Sequence, residues 1–255
     1  MPPAPAAEAQ PPETLVLVRH GQSMGNLADA EAQRRGAHHL DLDIRDADVP
    51  LSPAGEQQAD AVGRHLSGLP GDRRPTLVLT SPFRRAHDTS GIALSRAGLD
   101  VERVVDERLR ERELGVFDGL TGLGIRERFP QEAEQRRHVG KFYYRPPGGE
   151  SWCDVALRVR SLLASLGDEL AAERVWAFSH QAVIMNFRLV LERLTEPELL
   201  EHDSSTPLAN CSMTGYGWTG RRAGLLRYND TSAVDEHPAP VTEEPGSQEA
   251  EDVAS

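Results

Sequence analysis

The fold of this chain is decided by residues 14–21, which read TLVLVRHG. The first five are apolar and β-branched residues in a short run, which is typical of a buried strand. The strand then ends in Arg19, His20 and Gly21. Arginine grips an anion with a planar fork of donors, a neutral imidazole is a good nucleophile, and glycine lets backbone approach a ligand closely. The tripeptide indicates a site that holds a phosphate and takes it covalently. The alternative is a histidine that only caps a strand.

Three later apolar runs also end in polar residues that suit an anion. Residues 76–80 lead into the sequence SPFRRA, residues 174–178 lead into a serine and a histidine, and residues 101–105 soon reach a glutamate. In open parallel α/β sheets, ligands bind outside the carboxyl ends of the strands. We therefore expect one crevice to collect the side chains of Arg19, His20, Arg85, Glu111 and His180.

Strand and helix patterns alternate along the chain. This alternation predicts an α/β fold, a three-layer sandwich with a mostly parallel central sheet flanked by helices. Serine before proline at Ser52 and at Ser81 predicts the starts of two helices. Residues 223–228 are expected to form a final edge strand.

Composition divides the chain into a catalytic domain with two tails. Residues 1–13 are rich in proline and alanine and predict a disordered arm. Residues 232–255 carry seven acidic residues and no lysine or arginine, which predicts a disordered acidic tail. Residues 14–231 remain for the catalytic domain. Within it, residues 115–149 mix glycines, charges and aromatics. We expect an insertion that covers the site, or alternatively a surface excursion with its own small core.

Charge and hydropathy exclude several classes of function. The formal net charge is −12, whereas a nucleic-acid binder is more often basic. No apolar run approaches the ~20 residues of a membrane span, and no secretory signal is visible. The two cysteines, Cys153 and Cys211, are expected to be reduced thiols. These features predict a cytoplasmic monomer or homodimer that binds neither nucleic acid nor a membrane.

Five motifs carry a resemblance to a known family. They are RHGQS at 19–23 with Asn26, PLSPAG at 50–55, SPFRRA at 81–86, LRER at 109–112 with Gly115, and Ser179-His180. In this order they resemble the histidine phosphatase superfamily, in its phosphoglycerate-mutase-like branch and of phosphatase type. The resemblance runs from Thr14 to about Tyr228. One departure lies at Gln181, where the family usually has glycine.

The resemblance implies a role for each site residue. His20 is the nucleophile, His180 a donor to the phosphoryl group, and Glu111 the general acid and base. Position in the motif favours Glu111 over Glu107 and Glu113. The remaining implied residues bind phosphate: Arg19 and Arg85 as clamps, Asn26 through its amide, and Gln22 and Ser23 through backbone donors. No spacing of ligands calls for a metal, and no cofactor is expected.

Three functions are compatible with this pattern. The first is a metal-independent, acid-type histidine phosphatase that hydrolyses a small-molecule phosphate ester through phosphorylated His20, and the segment 146–151 (PPGGES) favours it. The second is a phosphoglycerate mutase, which would need extra cations over the site; Arg136 and Arg137 are the candidates. The third is a phospho-ligand binding or regulatory protein without catalysis. The sequence leaves the substrate open.

Overall fold

The computed structural model describes residues 11–169, 173–220, 222–237 and 239–243. Strands and helices alternate through most of this range. In chain order the elements are β1 (Thr14–Arg19), α1 (Met24–Arg35), α2 (Pro53–Gly68), β2 (Leu77–Thr80), α3 (Arg84–Ala97), β3 (Glu102–Val105), α4 (Gly122–Arg128), α5 (Pro130–Val139), α6 (Trp152–Glu169), β4 (Arg174–Ser179), α7 (Gln181–Arg188), α8 (Glu196–Ser205), β5 (Met213–Thr219), β6 (Arg222–Asp230) and α9 (Ser232–Asp235).

The central sheet has the strand order β3-β2-β4-β1-β5-β6. The first four strands in this order, β3, β2, β4 and β1, run parallel to one another. Strand β5 runs antiparallel to β1, and β6 runs antiparallel to β5. The prediction of a mostly parallel sheet is therefore confirmed, and so is the edge strand near residues 223–228. Strand β5 was not predicted, because its sequence MTGYGWT contains two glycines, which are depleted in strands.

Alternate residues of β1 enter two different cores, one on each face of the sheet. Leu15 and Leu17 pack in a core with residues of α6 and α7. Val16 and Val18 pack in a second core with residues of α2 and α3. Because successive side chains of a strand point to opposite faces, this division gives helix, sheet and helix layers. The three-layer sandwich is confirmed.

Two glycines allow α2 to dock against the turn that follows β1. A Cβ atom on Gly55 would lie 2.0 Å from the carbonyl oxygen of Gln22, and one on Gly21 would lie 2.6 Å from the carbonyl oxygen of Gly55. Any larger residue at either position would collide with backbone. The start of α2 matches its prediction, since Ser52 Oγ accepts from the backbone N–H of Gly55 at 3.1 Å. The PLSPAG motif at 50–55 therefore packs against and stabilises the turn that contains Gly21.

The predicted start of the next helix is wrong by two residues. Helix α3 begins at Arg84, with Phe83 as its N-cap residue. Ser81 lies before the helix, where its Oγ accepts from the backbone N–H of Phe83 at 3.1 Å. Ser81 therefore does not cap α3, and it is buried at the end of β2. Arg85 remains in the first turn of the helix, as predicted.

The folded domain extends beyond its predicted boundary at residue 231. Ala233 and Val234 on α9 are buried in the core beside α2. Further on, the side-chain amide of Gln58 donates to Pro240 O at 2.7 Å and to Thr242 Oγ1 at 2.8 Å. The prediction of disorder is therefore wrong for residues 232–237 and 239–243, because a few apolar residues among the acidic ones are enough to anchor the segment. Residues 244–255 lie outside the described part.

The structure describes the last three residues of the predicted arm and the whole of the predicted insertion. Residues 1–10 lie outside the described part, but the backbone N–H of Glu13 donates to Glu173 O at 2.9 Å and so continues the pairing of β1 with β4 in the middle of the sheet. The insertion holds α4 and α5 with a small core of Phe117, Ile125 and Tyr144. Of the helices that the structure describes, none is both long and apolar enough to span a membrane.

Candidate active site

Two histidines face each other at the carboxyl edge of the parallel sheet. Arg19 at the end of β1 pairs in register with Ser179 at the end of β4. His20 and His180 follow directly, and their ring centroids lie 5.1 Å apart with an interplanar angle of 57°. Both side chains are buried. The structure therefore brings His20 and His180 together, as the sequence analysis expected.

A cavity of about 470 Å³ opens beside His20. Its wall includes six residues that were predicted to bind or react with phosphate: Arg19, His20, Ser23, Asn26, Arg85 and Glu111. His180 and Gln22 are not on this wall. The insertion contributes Gly119, Leu120 and Thr121 to the same wall. The segment 115–149 thus has its own small core and also borders the cavity.

His20 is held as a neutral ring with one defined tautomer. Its Nδ1 lies 2.8 Å from the carbonyl oxygen of Gly21. A carbonyl can only accept, so Nδ1 carries the proton and Nε2 keeps its lone pair. Burial lowers the pKa of His20 well below its ordinary value, and the positive charges of Arg85 and Arg19 lower it further. The ring is therefore a nucleophile at and below neutral pH.

His180 carries its proton on the opposite nitrogen. Its Nε2 lies 2.8 Å from Ser81 Oγ. The Ser81 hydroxyl accepts from the N–H of Phe83, and its own hydrogen has no other acceptor among the described residues, so its donation to His180 Nε2 leaves the fewest polar groups unsatisfied. The proton of His180 then resides on Nδ1, which is buried and has no hydrogen-bond partner among the described residues. Burial, followed by the charge of Arg85, lowers the pKa of His180 well below its usual range. His180 is therefore a neutral ring whose Nδ1–H can donate to a ligand.

Arg19 and Arg85 supply the cations of the site. Arg19 is 1% exposed and its Nη1 donates to the carbonyl oxygen of Leu208. Arg85 Nη1 donates to Asp46 O at 2.7 Å and to Asp46 Oδ1 at 2.9 Å, and its Nη2 donates to Asp46 Oδ2 at 3.1 Å. These bonds use both hydrogens of Nη1 and one of Nη2. The parallel pair formed by Nε–H and the second Nη2–H remains for an anion.

Asp46 is a site residue that the sequence analysis missed. It belongs to a short helical turn at residues 46–48, in the connection between α1 and α2, and it lines the cavity. Its carboxylate fixes the plane of the Arg85 guanidinium. Nothing in its local sequence, RDADVP, distinguishes it from a surface aspartate. Only the packing of α3 against this turn places the two residues together.

Glu111 keeps its proton to a higher pH than an exposed glutamate does, because its pKa is raised. Burial raises its pKa above the ordinary value, and the backbone N–H of Arg112 and the charge of Arg85 oppose this shift. That N–H donates to Glu111 Oε1 at 2.8 Å and so fixes the carboxyl group. Glu111 borders the cavity, whereas Glu107 and Glu113 are exposed and do not. The structure places Glu111 where the motif implied it.

The two backbone donors implied by the resemblance are already used inside the protein. The N–H of Gln22 donates to Gln58 Oε1 at 2.8 Å, and the N–H of Ser23 donates to Asn26 Oδ1 at 2.8 Å. The expectation that they bind phosphate through these groups is therefore wrong. Ser23 Oγ in turn accepts from the N–H of Asn26, which completes a capping box for α1. Since Asn26 Oδ1 is engaged in this box, its Nδ2 is the end of the amide that can donate to a ligand.

No group of three or more histidine, cysteine, aspartate or glutamate side chains in residues 11–169, 173–220, 222–237 and 239–243 is arranged so that it could hold a metal ion. The charged groups near the histidine pair include Arg19, Arg85 and Arg158. Two facing neutral imidazoles with arginines beside them are a set of groups suited to phosphoryl transfer through histidine.

Comparison with known proteins agrees with this class. A sequence profile of the histidine phosphatase superfamily (branch 1) matches residues 15–231. The chain belongs to this superfamily. It is 34% identical over 200 residues to a 2,3-bisphosphoglycerate-dependent phosphoglycerate mutase of Allorhizobium ampelinum, over 76% of this chain and 86% of the mutase. It is 37% identical over 162 residues to a glucosyl-3-phosphoglycerate phosphatase of Mycobacterium tuberculosis, over 64% of this chain and 62% of that protein.

A solved structure supports the same relation. The native mycobacterial glucosyl-3-phosphoglycerate phosphatase superposes with a TM-score of 0.65 at 28% identity, over 86% of this chain and 99% of that one. Relatives of this chain include both phosphatases and mutases.

Proposed function

We propose that this protein is a metal-independent phosphomonoesterase of acid type that works through a phosphohistidine on His20. The observation that carries the proposal is the pair of facing rings, with a lone pair on His20 Nε2 and a proton on His180 Nδ1. The pKa directions support action at mildly acidic to neutral pH. The lowered pKa of His20 keeps the nucleophile unprotonated as the pH falls, and the raised pKa of Glu111 keeps the acid protonated as the pH rises.

The reaction proceeds in two displacements at phosphorus. His20 Nε2 attacks, and the bond between phosphorus and the alcohol oxygen breaks as the nitrogen–phosphorus bond forms. Glu111 gives its proton to the departing oxygen. Water then attacks the phosphohistidine while the Glu111 carboxylate takes its proton, and the nitrogen–phosphorus bond breaks to release inorganic phosphate. Arg19, the remaining donor pair of Arg85 and His180 Nδ1–H hold the phosphoryl oxygens throughout.

The cavity favours hydrolysis over the mutase reaction. A mutase has to hold a second phosphate, so it needs further cations over the site. The candidate pair does not provide them, because neither Arg136 nor Arg137 borders the cavity of the histidine pair. Arg137 pairs instead with Glu134 on the same helix. Arg112 and Arg126 do border this cavity, but the carboxylates of Asp29, Asp46 and Asp118 border it as well and oppose the binding of a second dianion.

The mutase remains the second candidate, because a mutase is among the relatives that match across most of their length. Incubation with 3-phosphoglycerate separates the two activities. Release of inorganic phosphate without 2-phosphoglycerate supports the phosphatase, whereas steady production of 2-phosphoglycerate supports the mutase. The third candidate, a binding or regulatory protein, requires phosphate binding without turnover.

Replacement of the nucleophile tests the proposal directly. His20→Ala is expected to lower turnover of 4-nitrophenyl phosphate by about a thousandfold or more, since it removes the attacking group. The wild-type protein should carry an acid-labile phosphoryl label during turnover, and the variant should not. His138→Ala is the matched control, because His138 is exposed on α5 and does not border the cavity. Undiminished turnover by His20→Ala would end the proposal.

We further propose that the substrate is a small-molecule phosphate ester and that the protein acts in the cytoplasm as a monomer or homodimer. The cavity of about 470 Å³ supports a small ligand. The matched M. tuberculosis relative is named for the phosphate ester glucosyl-3-phosphoglycerate. Size-exclusion chromatography with light scattering measures the oligomeric state.

A further inference from the structure

The cavity continues past the histidine pair to a second group of polar side chains on α7, α8 and α6. Gln181 is the first residue of α7 and follows His180 directly. Its Nε2 donates to Asp203 Oδ1 at 3.0 Å, and Asp203 Oδ2 accepts from Lys141 Nζ at 2.9 Å. Lys141 Nζ in turn lies 5.4 Å from the ring centroid of Trp152. Gln181, Asp203 and Trp152 all border the cavity.

This chain of contacts fixes the direction of the Gln181 amide. Asp203 is 1% exposed and paired with Lys141, and both of its carboxylate oxygens act as acceptors. The NH₂ end of Gln181 must therefore face Asp203, because the opposite orientation would bring two acceptor oxygens together. The Oε1 end is directed away from Asp203 as a fixed acceptor.

Two polar atoms of this group are buried and unsatisfied. Gln181 Oε1 and Trp152 Nε1 both lack a hydrogen-bond partner within the part of the chain that the structure describes. A buried polar atom left in this state costs about 1–3 kcal/mol, and native proteins leave few of them. One of the two atoms is an acceptor and the other is a donor. Both belong to residues on the wall of the same cavity.

We infer that Gln181 and Trp152 form a subsite for hydroxyl groups on the alcohol portion of the phosphate ester. The inference rests on the proposed phosphatase function and specifies its substrate class as hydroxylated, polyol-type esters. A hydroxyl group can donate to Gln181 Oε1 and can accept from Trp152 Nε1. A carboxylate would meet an acceptor oxygen backed by the negative charge of Asp203. An ammonium group would leave the indole N–H unsatisfied.

The position of Gln181 also separates this subsite from the phosphate position. Phosphoryl oxygens are acceptors, so they gain nothing from Gln181 Oε1 and are served by the arginines and by His180 Nδ1–H. The glutamine therefore discriminates among leaving alcohols. This role accounts for a long polar side chain at a position where the related family usually has glycine.

Four phosphate monoesters test the inference. They differ in the polar groups of a short alkyl chain: glycerol 1-phosphate has two further hydroxyls, propyl phosphate has none, phosphoglycolate has a carboxylate, and phosphoethanolamine has an ammonium group. The full-length wild-type protein is expected to show a kcat/KM for glycerol 1-phosphate roughly tenfold or more above that for propyl phosphate, because a site built to pair with hydroxyls rejects analogues that lack them. The carboxylate and ammonium esters should not exceed propyl phosphate.

Two variants remove one atom group each from the subsite. Gln181→Met removes the acceptor and keeps the length of the side chain, and Trp152→Phe removes the indole N–H and keeps an aromatic ring over Lys141. Each is expected to reduce the ratio of kcat/KM between glycerol 1-phosphate and propyl phosphate by several-fold, mainly through KM for the hydroxylated ester. Gln57→Met is the control, because Gln57 is exposed on α2 and does not border this cavity; it should leave the ratio as in the wild type.

The possible outcomes separate failure of the subsite inference from failure of the proposed phosphatase function. A wild type that hydrolyses 4-nitrophenyl phosphate but shows no preference for the hydroxylated ester overturns the subsite alone. Preference for the carboxylate or ammonium ester also overturns it, as does an equal loss on all esters in both variants. If the wild type hydrolyses no ester at all, the proposed function and the subsite fail together. A thermal melt of each variant verifies folding, and Gln181→Gly replaces Gln181→Met if the latter is unfolded.

Discussion

Ser81→Ala is the perturbation that most sharply tests how the site sets the proton of His180. Ser81 and His180 are both fully buried, and Ser81 Oγ lies 2.8 Å from His180 Nε2. The same hydroxyl accepts from the N–H of Phe83. Alanine removes both interactions without adding volume. His180 is then no longer held as the tautomer that carries its proton on Nδ1.

The structure sets the size of both expected effects. The variant leaves a ring nitrogen and a backbone N–H without partners in a dry environment, which costs about 1–3 kcal/mol of folding stability. If a comparable share of the free energy that orients the imidazole is lost, kcat/KM for an aryl phosphate should fall about 5- to 100-fold. The phosphohistidine should still form, because Ser81 does not contact His20.

Ser90→Ala is a matched control for this variant. Ser90 is also fully buried, and its Oγ donates to His87 O at 2.8 Å, but it lies on α3 away from the cavity wall. It should lose a similar amount of stability in urea unfolding and keep kcat/KM within about twofold. Nitrogen NMR of His180 reports the tautomer directly. Equal loss of kcat/KM in both serine variants, or an unchanged Nδ1–H tautomer in Ser81→Ala, would refute the orienting role.

Two further predictions follow from the site and its support. Because its pKa is raised, Glu111 loses its proton, and with it the acid function, as the pH rises through that pKa; Glu111→Gln should therefore abolish the alkaline decline in a pH–rate profile and lower kcat for alkyl phosphates by about 10²- to 10⁴-fold. A persistent alkaline decline would assign it to another group. Gly55→Ala should destabilise the protein by about 1–3 kcal/mol or more in urea unfolding, because its Cβ would lie 2.0 Å from Gln22 O. Gly68→Ala at the end of the same helix meets no atom within 4 Å and should change stability by less than about 1 kcal/mol; equal effects would contradict the close-approach argument.

The elements that could be predicted are those whose local pattern of apolar residues matches the burial of their side chains. Buried parallel strands are apolar along their whole length, so β1, β2 and β4 were recognisable as runs. Strand β5 was missed because it lies next to β1 in the sheet but contains two glycines, and its strand state depends on pairing with Leu15–Val18. The start of α3 was misplaced because a serine before a proline looks like a cap. Ser81 instead bonds to Phe83 N–H and to His180.

The reactive residues were accessible from sequence because they lie at strand ends, where topology alone brings them together. Asp46 and Asp203 were not, since each acts on a residue far away in the chain: Asp46 on Arg85, and Asp203 on Gln181. A charge in a loop has no periodic signal that states its partner. The backbone donors of Gln22 were misassigned for the same reason, because their acceptor lies on α2.

The arginines of the site have two effects that depend on each other. They bind the phosphoryl group, and their charges, after burial itself, lower the pKa of His20 so that it stays a nucleophile before substrate arrives. A bound dianion offsets part of the charge of Arg19 and Arg85, which raises the pKa of both imidazoles in the complex. The raised pKa favours protonation of His180, and the charged imidazolium is a stronger donor to the phosphoryl oxygens than the neutral ring. Asp46 moderates this balance, because it already offsets Arg85 and leaves only one pair of its donors for the substrate.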